Sequence, residues 1–323
     1  MKSFDNKVAV VTGAASGMGR YLAVLLAKMG CNVAICDVNE EELENTAKML
    51  ANYNVATSRH VVDIADKSAI EEFHQEVIDH HQKVDLVFNN AGITVMSEFG
   101  DMPEADWDRV MQVNLDGVIN MTRKFLPDLK TRPEAALINT SSIFGMVAVP
   151  GQSVYHATKF AVRGFTESLA KEMKGTNLQV HCVHPGHVGT NIASSAKHVE
   201  PEDGRPSTLL GKKFSVEEQG KMFKENGMHP SRAAKIILDG VRKKRTRIFV
   251  GLDAKLLDLS QRFFPMNYQK TWPLIFLPMM ARNQMLKKPL RDLPSEPSES
   301  FCFQILTIGP KENQLRLVLD AGR

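Results

Sequence analysis

Short apolar runs and longer amphipathic stretches alternate along residues 7–250 of this 323-residue chain. The first run, residues 7–12 (KVAVVT), is rich in β-branched residues and lacks polar alternation, which is typical of a parallel strand covered by helices on both faces. Repetition of strand and helix requires right-handed crossovers and a parallel sheet. The sequence therefore predicts an α/β fold, a doubly wound parallel sheet with helices on both faces.

The pattern places about seven strands in this sheet. The predicted strands are residues 7–12, 32–37, 58–63, 84–89, 135–140, 178–183 and 247–250. The predicted helices are residues 19–29, 39–50, 67–81, about 107–129, 155–173 and 231–244.

These elements predict a catalytic domain over residues 1–251, followed by an extension over residues 252–323. Within the domain, residues 187–229 have little regular pattern, and a loop of that length predicts a lid over a binding site. The extension holds an amphipathic stretch at 253–264 and a basic, apolar segment at 270–288 that could lie on a bilayer surface or pack onto the domain. Its end either pairs as a hairpin or is unstructured.

Composition excludes several classes of protein. Lys and Arg total 40 and Asp and Glu 37, and the net charge of +3 is too small to indicate a nucleic-acid partner. The four cysteines contain no C-x-x-C pair, so neither a zinc site nor a disulfide framework is expected, and a reducing compartment fits. No run reaches about 18 apolar residues. A cytoplasmic protein is therefore predicted, with the membrane surface as an open alternative.

A glycine-rich turn joins the first predicted strand to the first helix. Gly13, Gly17 and Gly19 are spaced G-x-x-x-G-x-G, which allows a tight turn and close approach of the backbone to a pyrophosphate. The helix N-terminus that follows offers free N–H groups to an anion. We expect these glycines, with Ser16 and Met18, to bind the phosphates of a dinucleotide.

Two acidic residues end the next predicted strands. A carboxylate at Asp37 can accept both hydroxyls of the adenosine ribose and repel a 2′-phosphate. Neither Ser16 nor Val38 supplies the cation that a 2′-phosphate would need, so NAD is predicted and NADP is disfavoured. Asp63 is expected beside the adenine. For both carboxylates, capping of the following helix is the competing interpretation.

Tyr155 and Lys159 are four positions apart in one predicted helix, so their side chains project from the same face. A free phenol with a pKa of about 10 exchanges protons poorly at neutral pH, but a nearby ammonium stabilises the phenolate and lowers that pKa. The pair therefore predicts a proton carrier. Ser142 follows a strand and is expected at the crevice along the carboxyl ends of the sheet, where its hydroxyl can hold a substrate oxygen.

Together these motifs resemble the short-chain dehydrogenase/reductase family. The resemblance covers about residues 5–251 and rests on Thr12 to Gly19, Asn89-Asn90-Ala91-Gly92, Asn114, Ser142, Tyr155-His156-Ala157-Thr158-Lys159 and Pro185-Gly186. Several of these motifs are degenerate singly, but their order and spacing leave little room for another family. The resemblance implies a Rossmann-like fold and an oxidoreductase that moves a hydride between a nicotinamide cofactor and a CH–OH group.

The resemblance also implies roles for the matching residues. Tyr155 would exchange a proton with the substrate oxygen, Lys159 would bind the nicotinamide ribose, and Ser142 would hydrogen-bond the substrate oxygen. Asn114 would kink its helix and hold a water molecule that links Lys159 to solvent. The remaining implied cofactor contacts are Asn90, Ala91, Gly92, Pro185, Gly186, Val188 and Thr190. A homodimer or homotetramer is implied as well.

The residues expected to border the substrate are mostly apolar: Thr94, Val95, Ile143, Phe144, Val147, Val149, Gln152 and His187. Such a wall favours a hydrophobic secondary alcohol or ketone over a sugar or a charged acid. An acyl-thioester ketoreductase and a non-catalytic dinucleotide sensor are the alternatives. No metal site is expected at His181, His184 and His187, because a spacing of three along a strand puts the first two on opposite faces.

Overall fold

The computed structural model describes residues 1–199, 221, 224–272, 290 and 293. The strands are β1 (Val8–Thr12), β2 (Asn32–Asp37), β3 (Thr57–Val61), β4 (Leu86–Asn89), β5 (Val95–Met96), β6 (Ala135–Thr140), β7 (Leu178–Pro185), β8 (Lys197–His198) and β9 (Arg247–Val250). The helices are α1 (Gly17–Lys28), α2 (Glu40–Leu50), α3 (Lys67–His81), α4 (Glu104–Met111), α5 (Gly117–Thr131), α6 (Ser153–Glu172), α7 (Pro230–Arg242) and α8 (Leu252–Phe263). Short 3₁₀ turns occupy Phe99–Asp101, Ile143–Gly145 and Tyr268–Thr271.

The central sheet has seven strands in the order β3-β2-β1-β4-β6-β7-β9, and every neighbouring pair is parallel. The predicted doubly wound sheet is therefore confirmed. Strands β2 and β3 follow β1 towards one edge of the sheet, and β4 then pairs with the other side of β1. This reversal opens a crevice at the carboxyl ends of β1 and β4, where ligands of open α/β sheets bind.

A buried carboxylate fixes the junction of β1 and β4. Asp85 is fully buried just before β4, and its side chain accepts a hydrogen bond of 3.0 Å from the backbone N–H of Val8. Its other oxygen lies 2.9 Å from Nε of Arg132, which provides the opposite charge that a buried carboxylate needs.

Apolar side chains cover both faces of the sheet. On one face α1 and α7 bury Leu22, Leu26 and Ile237, and on the other α3 and α5 bury Phe73 and Phe125, whose rings meet edge to face at 6.0 Å. Each such side chain contributes about 1.5–3 kcal/mol when fully buried. Because the strands are covered on both faces, their sequences lack polar alternation.

The helix predicted over about residues 107–129 has an irregular middle. Residues Gln112–Asp116 form a π-helical turn between α4 and α5. Insertions of this kind in helices are frequent at functional sites. Asn114, the residue expected to kink the helix, lies inside this turn and is fully buried.

The predicted lid begins and ends at one place in the fold. The backbone N–H of Met228 donates to the carbonyl of His187, and the N–H of Gly189 donates to the carbonyl of Met228, both at 2.9 Å. Near its start, β8 pairs with β5. Residues 200–220, 222 and 223 lie outside the described residues, so the lid itself stays a prediction.

The beginning of the extension packs on the domain. Ala254 and Leu257 of α8 are buried against Ile143, Met146 and Val147. Further along, Leu290 and Leu293 contact the apolar cluster around α1 and α7. The chain divides into two units, residues 1–293 and 294–323. The second unit and residues 273–289 lie outside the described residues, and the domain boundary at 251 stays a prediction.

In the described part of the chain, no helix is both long enough and apolar enough to cross a membrane.

Candidate active site

The glycine-rich turn between β1 and α1 leaves no room for side chains at two positions. Gly13 has a φ of +65°, and a Cβ added there would lie 2.7 Å from the Cα of Ala91. A Cβ on Gly19 would collide with the carbonyl oxygen of Gly13. The hydroxyl of Thr12 accepts hydrogen bonds of 3.0 Å from the backbone N–H groups of Asn90 and Ala91. The turn and the end of β4 therefore form one packed unit.

A cleft of about 240 Å³ runs from this turn across the carboxyl ends of the strands. The sequence-predicted residues that line it are Gly13, Ser16, Gly17, Met18, Asp37, Asp63, Asn90, Ala91, Gly92 and Thr190. The lining residues that sequence reasoning missed are Cys36, Val38, Val62, Ile64, Ile93, Arg109, Val113, Asn191, Ile192 and Ser195. The predicted contacts Gly19, Tyr155, Lys159, Pro185, Gly186 and Val188 are not among its lining residues.

The two strand-ending carboxylates do not cap the helices that follow them. Asn39 caps α2 and Asp66 caps α3, so the capping interpretation is wrong for Asp37 and Asp63. Asp37 instead accepts hydrogen bonds from the N–H groups of Ala15 at 3.0 Å and Asn39 at 3.1 Å. These bonds hold its carboxylate at the glycine-rich turn, on the wall of the cleft.

Asp63 has a cationic partner that the sequence did not indicate. Its carboxylate lies 2.9 Å from a guanidinium nitrogen of Arg109 in α4. The other carboxylate oxygen accepts a hydrogen bond of 3.0 Å from the backbone of Ala65. No local motif signals this pair, because its members are far apart in the sequence and only the tertiary fold brings them together.

Asn114 joins three elements through its amide. Its oxygen accepts a hydrogen bond from the N–H of Ile93 and its nitrogen donates to the carbonyl of Ile93, both at 2.8 Å. The same nitrogen lies 3.3 Å from the hydroxyl of Thr158 in α6. Asn114 therefore ties the π-helical turn to the loop after β4 and to the helix that carries Tyr155 and Lys159.

Tyr155, Lys159 and Ser142 are all buried at the carboxyl end of β6. The ammonium nitrogen of Lys159 donates to the carbonyl of Thr140 at 3.1 Å and lies 5.5 Å from the centre of the Tyr155 ring. The Ser142 side chain is close enough to the Tyr155 hydroxyl to lower the pKa of the phenol. The three candidate catalytic side chains are thus brought together, as their spacing predicts.

The pKa of the Tyr155 phenol is raised, whereas the sequence predicts that the ammonium of Lys159 lowers it. Burial raises the pKa of Tyr155 to about 12, and the Ser142 side chain offsets this only in part. Burial also lowers the pKa of Lys159 to about 8. In the protein without cofactor, desolvation therefore dominates the pKa of both groups. Burial removes the phenol and the amine from water, and this disfavours the phenolate and the ammonium.

Two buried histidines support this arrangement, in positioning roles that the sequence did not indicate. Nδ1 of His156 lies 3.0 Å from the carbonyl oxygen of Phe144, and Nε2 lies 3.0 Å from the backbone nitrogen and 3.1 Å from the carbonyl oxygen of Val149. His156 therefore closes the loop 144–149. His184 contacts the carbonyl of Ser142 at 3.3 Å, and burial lowers its pKa to about 4. The position of His156 directly after Tyr155 is the one sequence signal that could have drawn attention to it.

Within residues 1–199 and 224–272, no three His, Cys, Asp or Glu side chains lie close enough together to hold a metal ion.

An apolar wall borders the loop that follows Ser142. Ile143 and Val147 are buried in a cluster with Met146, Ala254 and Leu257, and Phe144, Phe249, Leu256, Tyr268 and Trp272 pack against it. The Tyr268 hydroxyl accepts a hydrogen bond of 3.0 Å from the N–H of Ala148. Half of the residues in this wall belong to the extension. The amphipathic pattern of the extension does not show which part of the domain its helix packs against.

The other predicted substrate residues differ in burial and in packing. Gln152 is buried before α6 and bridges to Ser97. Val149 and His187 are half-buried, whereas Thr94 is buried and Val95 packs with Val110 and Val154.

Comparison with known proteins shows the family of the chain. A family model described as short chain dehydrogenase matches residues 7–201. The oxidoreductase SadH of Mycobacterium tuberculosis is 36% identical over 273 residues, which are 84% of this chain and 95% of that protein. The 3-oxoacyl-acyl-carrier-protein reductase FabG of Thermotoga maritima is 34% identical over 205 residues, which are 64% of this chain and 82% of that protein.

Solved structures are similar as well. A short-chain dehydrogenase/reductase from Burkholderia phymatum in complex with NAD superposes with a TM-score of 0.71 and 26% identity, over 81% of this chain and 96% of that one. A metagenomic short-chain oxidoreductase in complex with NADP has a TM-score of 0.55 and 29% identity, over 57% of this chain and 83% of that one. The chain therefore belongs to the short-chain dehydrogenase/reductase family of NAD(P)-dependent oxidoreductases that act on CH–OH groups.

Proposed function

We propose that this protein is an NAD-dependent oxidoreductase for hydrophobic secondary alcohols or the corresponding ketones. The observation that carries the proposal is the burial of Tyr155, Lys159 and Ser142 beside a wall made of Ile143, Val147 and Leu257. A proton carrier next to an apolar wall suits a substrate with one reactive oxygen and apolar substituents.

The proposed chemistry divides between cofactor and protein. A bound nicotinamide supplies the hydride acceptor or donor, and the protein orients the partners and moves the proton. In alcohol oxidation the Tyr155 oxygen takes the hydroxyl proton, and in ketone reduction it returns a proton to the carbonyl oxygen. The Ser142 hydroxyl holds that oxygen in place.

Positive charge near Tyr155 matters because burial raises its pKa to about 12. The Lys159 ammonium, held by the Thr140 carbonyl, is one source. The oxidised nicotinamide is a second, so the phenol is expected to ionise more readily once the cofactor is bound.

Asp37 supports NAD as the cofactor. Its carboxylate lines the cleft beside Ser16 and Val38, neither of which is a cation. A 2′-phosphate placed there would meet like charge, and Arg109, which also lines the cleft, is already paired with Asp63. The solved relative from Burkholderia phymatum is in complex with NAD and supports this proposal, whereas the metagenomic relative is in complex with NADP.

We expect Asp37→Ala to reduce the preference for NAD over NADP by about 10- to 100-fold, because ribose hydrogen bonds and phosphate repulsion are lost together. The measurement is the ratio of kcat/KM for the two cofactors. Asp37→Asn is the matched variant: it keeps an acceptor for the Ala15 N–H and removes only the charge. An unchanged ratio in both variants would remove the argument for NAD.

The Tyr268 hydroxyl anchors the loop 143–149 to the extension. Because this loop carries part of the apolar wall, its position should matter for binding a bulky apolar substrate. We expect Tyr268→Phe to raise KM for a bulky apolar alcohol by about 3- to 10-fold, the effect of losing one hydrogen bond to a loop. Turnover at saturation should change little. Tyr53→Phe, the same change in the loop after α2, serves as control. An equal change of KM in both variants would show that Tyr268 has no specific role in substrate binding.

A ketoreductase acting on acyl thioesters is the second candidate, favoured by the 34% identity to FabG. A panel of secondary alcohols, ketones and 3-oxoacyl thioesters, assayed with NAD(H) and NADP(H), distinguishes the two. Turnover confined to the thioesters would replace our leading assignment. Binding of NADH without any turnover would favour the third candidate, a dinucleotide sensor.

The assembly expected for this family is a homodimer or homotetramer packed through the helical segments that hold Asn114 and Tyr155. Light scattering of the purified protein tests this, and a monomer over the assay concentrations would contradict it.

A further inference from the structure

A buried carboxylate of the extension lies directly behind the segment that follows β7. Asp253, in the first turn of α8, is 2% exposed. One of its oxygens accepts a hydrogen bond from the backbone N–H of His187. A Cβ added to Gly186 would collide with this carboxylate. Asp253 therefore occupies the space that any side chain at position 186 would need.

The chain makes an unusual turn to bring this carboxylate in. The N–H of Gly186 bonds the carbonyl of Val250 at 2.9 Å, which fixes the end of β9 beside it. Gly251 then adopts a φ of +107°, a conformation that L side chains rarely adopt, and a Cβ there would collide with the Asp253 carboxylate. Two glycines thus make room for one acidic side chain.

The charge at Asp253 has little compensation. Its partners are backbone N–H groups and His187, and burial raises its pKa despite these hydrogen bonds. Among the ion pairs of the described residues, none joins Asp253 to a lysine or an arginine. A buried carboxylate that is not paired with a lysine or an arginine acts over a longer range than a surface charge, because less solvent screens it.

We propose that Asp253 sets the redox preference of the cofactor site, because its negative charge favours the positively charged oxidised nicotinamide over the neutral reduced one. This rests on the proposed function and on the expectation from the sequence that Pro185, Gly186 and Val188 contact the bound cofactor, here at its nicotinamide. Lys159, the buried charge of opposite sign on α6, acts against it. Without the Asp253 charge, only the positive charge of Lys159 acts on the nicotinamide. The binding preference of the protein should therefore move from NAD⁺ towards NADH.

The test uses Asp253→Asn, which keeps the shape of the side chain and an oxygen for the His187 N–H while removing the charge. We expect the ratio of Kd for NADH to Kd for NAD⁺ to fall by about 5- to 20-fold, mainly through weaker binding of NAD⁺. Calorimetry measures NAD⁺ binding and fluorescence measures NADH binding, so neither depends on turnover.

Asp258→Asn is the matched control, since Asp258 lies on the same helix but pairs with Arg247 and Arg262. The ratio of Kd for NADH to Kd for NAD⁺ in this variant should equal that of the wild type. Asp253→Ser is a second neutral variant with a smaller acceptor, for use if the asparagine variant does not fold. An unchanged ratio in a folded neutral variant overturns the proposal, as does failure of both variants to fold, which would make Asp253 a structural residue. Failure of the wild type to bind either nucleotide would instead overturn the proposed function.

Discussion

Tyr155→Phe is expected to lower kcat for alcohol oxidation by about 10²- to 10⁴-fold, the usual contribution of general acid–base catalysis. The substitution removes one hydroxyl and keeps a ring that is 8% exposed in the native packing. The variant should therefore fold and bind NADH with unchanged affinity. Steady-state kinetics with the best alcohol of the panel, together with NADH fluorescence titration, measures both quantities.

Tyr53→Phe provides the comparison, because it removes a phenol hydroxyl from the loop after α2, at the opposite side of β2 from the catalytic residues. Retention of activity within about tenfold in the Tyr155 variant would show that another group carries the proton. Loss of NADH binding alongside activity would indicate instead that the phenol mainly shapes the cofactor site.

Lys159→Met is expected to make the protein more stable and nearly inactive. Burial lowers the pKa of Lys159 from 10.5 to about 8, so at pH 7 the folded protein holds an ammonium that the unfolded chain accommodates at lower free energy. Methionine removes this cost but also the hydrogen bond to Thr140. The free energy of unfolding at pH 7 should rise by about 2 kcal/mol.

The pH dependence follows from the same shift. Between pH 8 and 10.5 the unfolded state binds more protons at this lysine than the folded state, so the wild type gains stability as pH rises through that window. Urea unfolding at pH 7 and at pH 10 should therefore show the advantage of the methionine variant shrinking. Lys171→Met, at an exposed position of α6, is the control and should change stability little at either pH. A Lys159 variant less stable than the wild type at pH 7 would contradict the burial argument.

Regular periodicity allowed much of the fold to be predicted. The bounds of β2, β6, β9 and α3 agree with the predicted segments to the residue. A strand covered on both faces leaves an unmistakable apolar run, and an amphipathic helix leaves a repeat of three to four residues. Periodicity did not show the break at Gln112–Asp116, because a π-helical turn has no such repeat and depends on where the Asn114 amide bonds; a kink at Asn114 was expected only from the family resemblance.

The helix caps show how local chemistry can mislead. Asp37 and Asp63 satisfy the composition of an N-cap, yet Asn39 and Asp66 take that role two and three positions later. A cap depends on backbone conformation at one residue, which sequence composition fixes only to within a turn.

The amino-acid sequence by itself determined the order of strands and helices, the turn that only glycine permits at Gly13 and Gly19, and the spacing that puts Tyr155 and Lys159 on one helix face. Each of these follows from neighbours within a few residues or from the steric limits of one residue. Only the tertiary structure decided that the pKa of Tyr155 rises and that Asp253 reaches His187 across 66 positions. Desolvation and such long-range contacts depend on everything packed around a group, and no local pattern encodes that.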